Sequence, residues 1–174
     1  ARNLFQKAED LAEDSSDYSS LAASFADEDY LDDKKYAKEL YKEAENLAEE
    51  LSGYIELAES VADEDYLGDK DWARDLFKKA EDVCSDDMFG FMELADAIIR
   101  SLEDKDWAVE IYKKSIAKAE NPSHYNSLAR SIAREDWLGD KKWARELYDK
   151  ALDSDGSFDD FKGLCTDYIK DKSI

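Results

Sequence analysis

The sequence predicts an all-α protein, an α-solenoid of antiparallel helix pairs, and three observations carry that prediction. One proline and six glycines in 174 residues leave few residues that break helices. Apolar residues recur with the period of a helix rather than the alternation of a strand. A pattern also returns along the chain: its aromatic anchors Tyr36, Trp72, Trp107 and Trp143 are spaced 36, 35 and 36 residues apart. A fixed period of that length is the mark of stacked helical units.

The recurring string runs Asp33-Lys-Lys-Tyr-Ala-Lys-Glu-Leu-Tyr-Lys-Glu-Ala44, with counterparts at Asp69–Ala80, Asp104–Ser115 and Asp140–Ala151. Each copy is an amphipathic helix. In the second copy Trp72, Ala73, Leu76, Phe77, Ala80 and Val83 fall on one stripe. Asp33, Asp69, Asp104 and Asp140 stand where an N-cap belongs, able to accept the unpaired N–H groups of the first turn and to face the positive end of the helix dipole.

A partner helix precedes each copy. Its stripe is Tyr18, Leu21, Ala22 and Phe25, then Tyr54, Leu57, Ala58 and Val61, with like sets beginning at Phe91, Tyr125 and Phe161. Large residues flank a small one, which lets antiparallel backbones approach closely. Asn121-Pro122-Ser123 is a helix-entry signal for the fourth unit. The expected organisation is one domain over 1–174, with about four full repeats of 35–36 residues. A second helix alone fills 1–14, full repeats span 16–50, 52–85, 87–120 and 122–155, and a capping helix covers 157–172. An array that opens inside a unit, without Met, reads as a segment of a longer repeat protein or a processed one.

The first-helix spacing resembles that of the tetratricopeptide repeat. The second-helix string D-x-x-[WY]-A-x-x-[LI]-[YF]-x-x-[AS], with the longer turn before it, resembles the Sel-one-like subclass. The resemblance covers nearly the whole chain. It departs where the subclass's glycine-rich turn is replaced by Glu-Asp-Tyr/Trp-Leu-Gly/Asp, and where the proline usual at a unit's end is missing. It implies stacked helix pairs and a concave face lined by first helices. It implies no particular ligand.

Composition narrows the function classes. The formal net charge is −21, which opposes nucleic acid and anionic membrane surfaces. Apolar residues at 43% and aromatics at 12% are too many for a disordered acidic tail. No apolar run approaches a membrane span and no signal peptide opens the sequence. Cys84 and Cys165 stand far apart in no metal-ligand spacing and read as reduced thiols, which fits a cytoplasmic home; the separate expectation is a monomer or part of a longer chain.

Nothing in the sequence assembles catalysis, and the expectation is no enzyme and no cofactor. His124, the sole histidine, lies in a helix entry without a partner to orient it. The turn from Asp63 to Arg74 has the Asp, Asp and Gly of a calcium loop at its first, third and sixth places. Leu67 and Arg74 stand where oxygen ligands are required. Weak cation binding at Asp27–Asp33 and Asp63–Asp69 is the residual reading. Tyr30, Tyr66 and Trp137, each six residues before an anchor, are expected to fold back and pack near the next helix. The third turn, Arg100–Asp104, is two residues shorter and lacks this aromatic.

The binding reading rests on the concave face, whose lining positions are those the tetratricopeptide resemblance implies. Its lining is small and acidic at Ser16, Ser19, Ala23, Ala26 and Asp27, and at Ser52, Ile55, Glu59, Ala62 and Asp63. It turns apolar at Phe89, Met92, Asp96, Ile99 and Arg100. It is polar at Asn126 and basic at Arg130 and Arg134, then at Lys162 in the last helix. Residues 1–99 carry a net charge of −19 and residues 100–174 only −2. Phe89, Met92 and Ile99 are therefore expected as apolar anchors, with Arg100, Asn126, Arg130, Arg134 and Lys162 as polar contacts, for a protein or peptide partner. The competing expectation is that these residues pack or pair locally, in a segment that only spaces parts of a larger chain. A third is that the acidic surface mimics a polyanion and binds a basic partner.

Overall fold

The structure, a computed structural model, describes residues 2–27, 31–84, 87–163 and 165. Every regular element among the described residues is helical. The chain forms two compact units, Ala1–Cys84 and Ser85–Ile174.

The first unit holds α1 (Arg2–Glu9), α2 (Ser15–Ala26), α3 (Lys34–Leu47), α4 (Leu51–Ala62) and α5 (Lys70–Val83). Its helices pack as the pairs α2/α3 and α4/α5, with α4 also against α2 and α3, and α1 against α2. The second unit holds α6 (Met88–Leu102), α7 (Lys105–Ala117), α8 (Pro122–Ala133) and α9 (Lys141–Leu152). Here α6/α7 and α8/α9 are the pairs, and α8 also meets α6 and α7. The chain is helical again over 158–163. The rest of the expected capping helix, Leu164 and Tyr168 included, lies outside the described residues, as does Tyr30.

The second helices start for the predicted reason. Asp33, Asp69, Asp104 and Asp140 accept from the backbone N–H of Tyr36, Trp72, Trp107 and Trp143 at 2.9–3.1 Å. The small residues of the stripes, among them Ala22, Ala58, Ala95 and Ala129, are fully buried. In the third pair, Ser115 Oγ near the end of α7 donates to the Met88 carbonyl at the start of α6, 2.6 Å away, so these helices run antiparallel.

Three turns share one construction. The N–H groups of Asp33, Asp69 and Asp140 bond to the carbonyls of Phe25, Val61 and Ile132 near the end of the preceding helix, at 2.7–3.1 Å. This closure places Asp32, Gly68 and Gly139 in the left-handed region, at φ of 47°, 64° and 67°. Glycine adopts that conformation without strain and aspartate tolerates it. The short third link instead lengthens α6 to Leu102 and puts Glu103 at φ 57°.

Successive second helices in the first unit are tied by ring-to-carboxylate bonds. Tyr36 Oη donates to Glu9 at 2.7 Å, and Trp72 Nε1 donates to Glu45 at 2.9 Å. Lys79 Nζ bonds the other Glu45 oxygen at 2.6 Å. The position matching Glu9 and Glu45 in α7 is Ile116, which offers no acceptor.

Candidate functional site

A cleft of about 360 Å³ opens on the first-helix face of the second unit. Helical periodicity builds it. Met92 and Asp96 lie one turn apart on α6; Ser127, Arg130, Ser131 and Arg134 fall on the facing side of α8 and its C-cap, and Trp137 comes from the following turn. The Arg134 guanidinium lies 3.6 Å from the centroid of the Trp137 ring, and that of Arg100 lies 5.9 Å from it. Cations attracted to the ring's negative face gather two arginines around one indole. Arg134 also bonds Asp136 through Nη2 at 2.6 Å.

The floor of the cleft is polar. Asp96 is 9% exposed, and its Oδ1 accepts from the hydroxyl of Tyr112 on α7 and, at 2.8 Å, from Ser131 Oγ on α8. Burial pushes the Asp96 carboxyl above its ordinary range, although the two hydroxyls and the Arg100 and Arg134 charges pull the other way. The Tyr112 hydroxyl is pushed up by burial and by the neighbouring carboxylate.

Of the eight residues expected to contact a ligand, Met92, Arg130 and Arg134 line this cleft, and Arg100 reaches its indole wall. Ile99 does not take part: at 4% exposure it belongs to the core, because it lies on the stripe that α6 turns inward. Asn126 is also buried, with its Nδ2 3.9 Å from where a Cβ on Gly163 would stand, so the C-terminal segment covers it. Phe89 is 48% exposed but stands outside the cleft, its ring edge-on to His124 at 5.6 Å. Lys162 is exposed on that covering segment. Sequence reasoning placed Asp96 on the groove without its network, and it placed Trp137 as packing for the next helix. The available signals were an acid, Asp96, inside a largely apolar α6 and a tyrosine hydroxyl inside the buried stripe of α7.

The first unit carries a second cleft, of about 300 Å³, at the same positions of the repeat. Counted from the first-helix aromatics Tyr18, Tyr54, Phe91 and Tyr125, Ser19 matches Met92 and Ala23 matches Asp96. Glu56, Glu59 and Ser60 match Ser127, Arg130 and Ser131, and Tyr66 matches Trp137. Acidic side chains thus replace the serine and arginine at corresponding points.

The lining residues of the two clefts include no histidine, lysine or cysteine. His124 Nδ1 accepts from the Glu120 backbone N–H at 3.2 Å. Among the described residues no three acidic, histidine or cysteine side chains converge to hold a metal ion, and no helix is long and apolar enough to cross a membrane. No family model, curated protein or solved structure matches the chain.

Proposed function

We propose that the chain is a non-enzymatic helical-repeat scaffold of the tetratricopeptide-like, Sel-one-like kind, its helix pairs stacked as a solenoid, which binds a protein or peptide segment through its first-helix faces. The observation that supports this reading is the repetition of one cleft in both units with its charge reversed. Core positions keep their character from unit to unit, whereas the charge of the cleft lining is redistributed: Glu59 stands for Arg130, Glu56 for Ser127 and Ala23 for Asp96. A purely structural spacer has no need of that diversification at one matched place. In the second unit the chemistry suits a segment carrying a carboxylate beside an apolar side chain. Arg130 and Arg134 supply donors at the rim, and Met92 and the Trp137 ring supply apolar contact.

Selection of binders from a random displayed-peptide library on the folded chain tests the reading. Peptides rich in acidic and apolar residues are expected, and they should be lost on Arg130→Glu with Arg134→Glu while the melting temperature holds. Enrichment of no sequence, or binding indifferent to both substitutions, would sink the proposal.

A further inference from the structure

The cleft of the first unit differs from its counterpart in one further respect, which lies beneath it. Tyr41 on α3 and Tyr112 on α7 occupy the same repeat position and the same geometry. Their rings stand edge-on to Trp72 and Trp143, with centroids 6.4 and 6.3 Å apart and interplanar angles of 90° and 85°. The Tyr112 hydroxyl ends on Asp96 and Ser131, both of which line the second cleft. At the matching positions beside Tyr41 stand Ala23 and Ser60, both of which line the first cleft. The carboxylate is gone, and the Tyr41 hydroxyl is fully buried with no hydrogen-bond partner. Burial pushes the Tyr41 hydroxyl's pKa up, and the nearby Asp63 carboxylate adds to the rise.

A buried polar atom left without a partner is costly and uncommon in folded proteins. By repeat equivalence with Tyr112 and Asp96, the Tyr41 hydroxyl belongs beneath Ala23, which lines a cleft whose charged lining residues are Glu56 and Glu59 and which no lysine or arginine lines. We propose that this cleft binds a cationic side chain, lysine or arginine, from an extended peptide segment of a partner protein. The ammonium or guanidinium takes the space that the Asp96 carboxylate fills in the second unit, donating to the Tyr41 phenolic oxygen at the floor and to Glu56 and Glu59 at the rim. The half-buried Tyr66 ring forms a cation–π wall. The surplus of negative charge before residue 100 steers such a segment toward the site. This site is independent of the arginine-lined cleft in the second unit.

The test is a titration of the folded chain with acetyl-Gly-Ala-Lys-Ala-Gly-amide, followed by backbone amide chemical shifts. The expected result is saturable shifts at Ser20, Ser60 and Tyr66 that are absent with norleucine in place of lysine. Glu56→Gln with Glu59→Gln should weaken binding about ten-fold, and Tyr41→Phe about three-fold without lowering the melting temperature. Arg130→Glu with Arg134→Glu should leave it unchanged, which separates this site from the proposed function of the second cleft. Shifts scattered over the acidic surface without saturation would overturn the proposal. So would binding unaffected by the Tyr41 and glutamate variants, or saturation by free spermine where the peptide produces none.

Discussion

The clefts of the two units are built from the same repeat positions, and they reach opposite internal balances. In the second unit a buried carboxylate takes up the tyrosine hydroxyl beneath it, and arginines stand above an indole. In the first unit alanine replaces that carboxylate, glutamates replace the serine and arginine at the rim, and the tyrosine hydroxyl is left alone. The frame under both is conserved: an Asp cap, an edge-on aromatic pair, and alanines where backbones approach. A repeat can therefore vary its surface chemistry at a few cleft positions while core and caps hold the backbone constant.

The sharpest way to break this comparison is to remove each hydroxyl in turn. Tyr112→Phe leaves a buried Asp96 with one donor fewer and should cost about 2 kcal/mol in urea unfolding. Tyr41→Phe removes a hydroxyl that bonds nothing and should change stability by about zero, or raise it by up to about 1 kcal/mol. Equal losses at the two sites would mean that the Tyr41 hydroxyl is as well satisfied as its counterpart.

A second test isolates the buried charge. Because burial raises the Asp96 pKa, the folded chain holds this proton more tightly than the unfolded chain does. The matching stability is fully present below the ordinary value of 3.8 and is lost as pH rises through the higher folded value. Asp96→Asn keeps an oxygen acceptor for Tyr112 and Ser131 but cannot ionise. It should therefore gain about 1 kcal/mol over the parent at pH 7, a gain that shrinks as pH falls toward 4. A difference that does not change with pH would show that the Asp96 charge carries no such cost.

The helices, their caps and the pairing of neighbours were legible in the sequence because each depends on local residues. The Asp33, Asp69, Asp104 and Asp140 caps each need only a side chain three residues before an N–H group. The cleft was legible in part. Arg130 and Arg134 follow from helical spacing, and so does Met92 on the facing helix. Ile99 was misplaced because a residue at the border of a stripe is assigned to core or surface only by how far its helix rotates. The Asp96–Tyr112–Ser131 network was missed for another reason: it joins three helices through residues 16, 19 and 35 positions apart, and repeat spacing alone does not specify side-chain contacts.

The turns offer a smaller test of equivalence. Gly68→Ala and Gly139→Ala each force a Cβ into a left-handed conformation and should cost about 1 kcal/mol, read by thermal unfolding. Neither Cβ would clash, since the nearest atoms would stand 3.7 and 3.6 Å away, so the loss would report backbone strain alone. Asp32→Gly relieves the same strain in the first turn and should gain a few tenths of a kcal/mol, less the entropy that glycine adds to the unfolded chain. Unchanged stability in both alanine variants would show that the three turns do not share one strained position.

The smallest effect separates two ties that look alike. Tyr36 to Glu9 and Trp72 to Glu45 are the same link one repeat apart, but only the phenol ionises. Its hydrogen bond to Glu9, aided by burial, pushes the Tyr36 pKa up to about 12 from 10.0. The folded state then holds this proton more tightly, so the link's contribution is complete below pH 10 and fades as pH climbs through about 12. Tyr36→Trp can preserve an N–H donor while removing the ionisation. Relative to the parent it should change neutral stability by about 0.5 kcal/mol or less, yet lose less stability between pH 10 and 12. Tyr36→Phe should flatten the same alkaline limb but forfeit the bond at neutral pH. Parallel alkaline limbs in all three proteins would mean that Glu9 does not hold the phenol's proton.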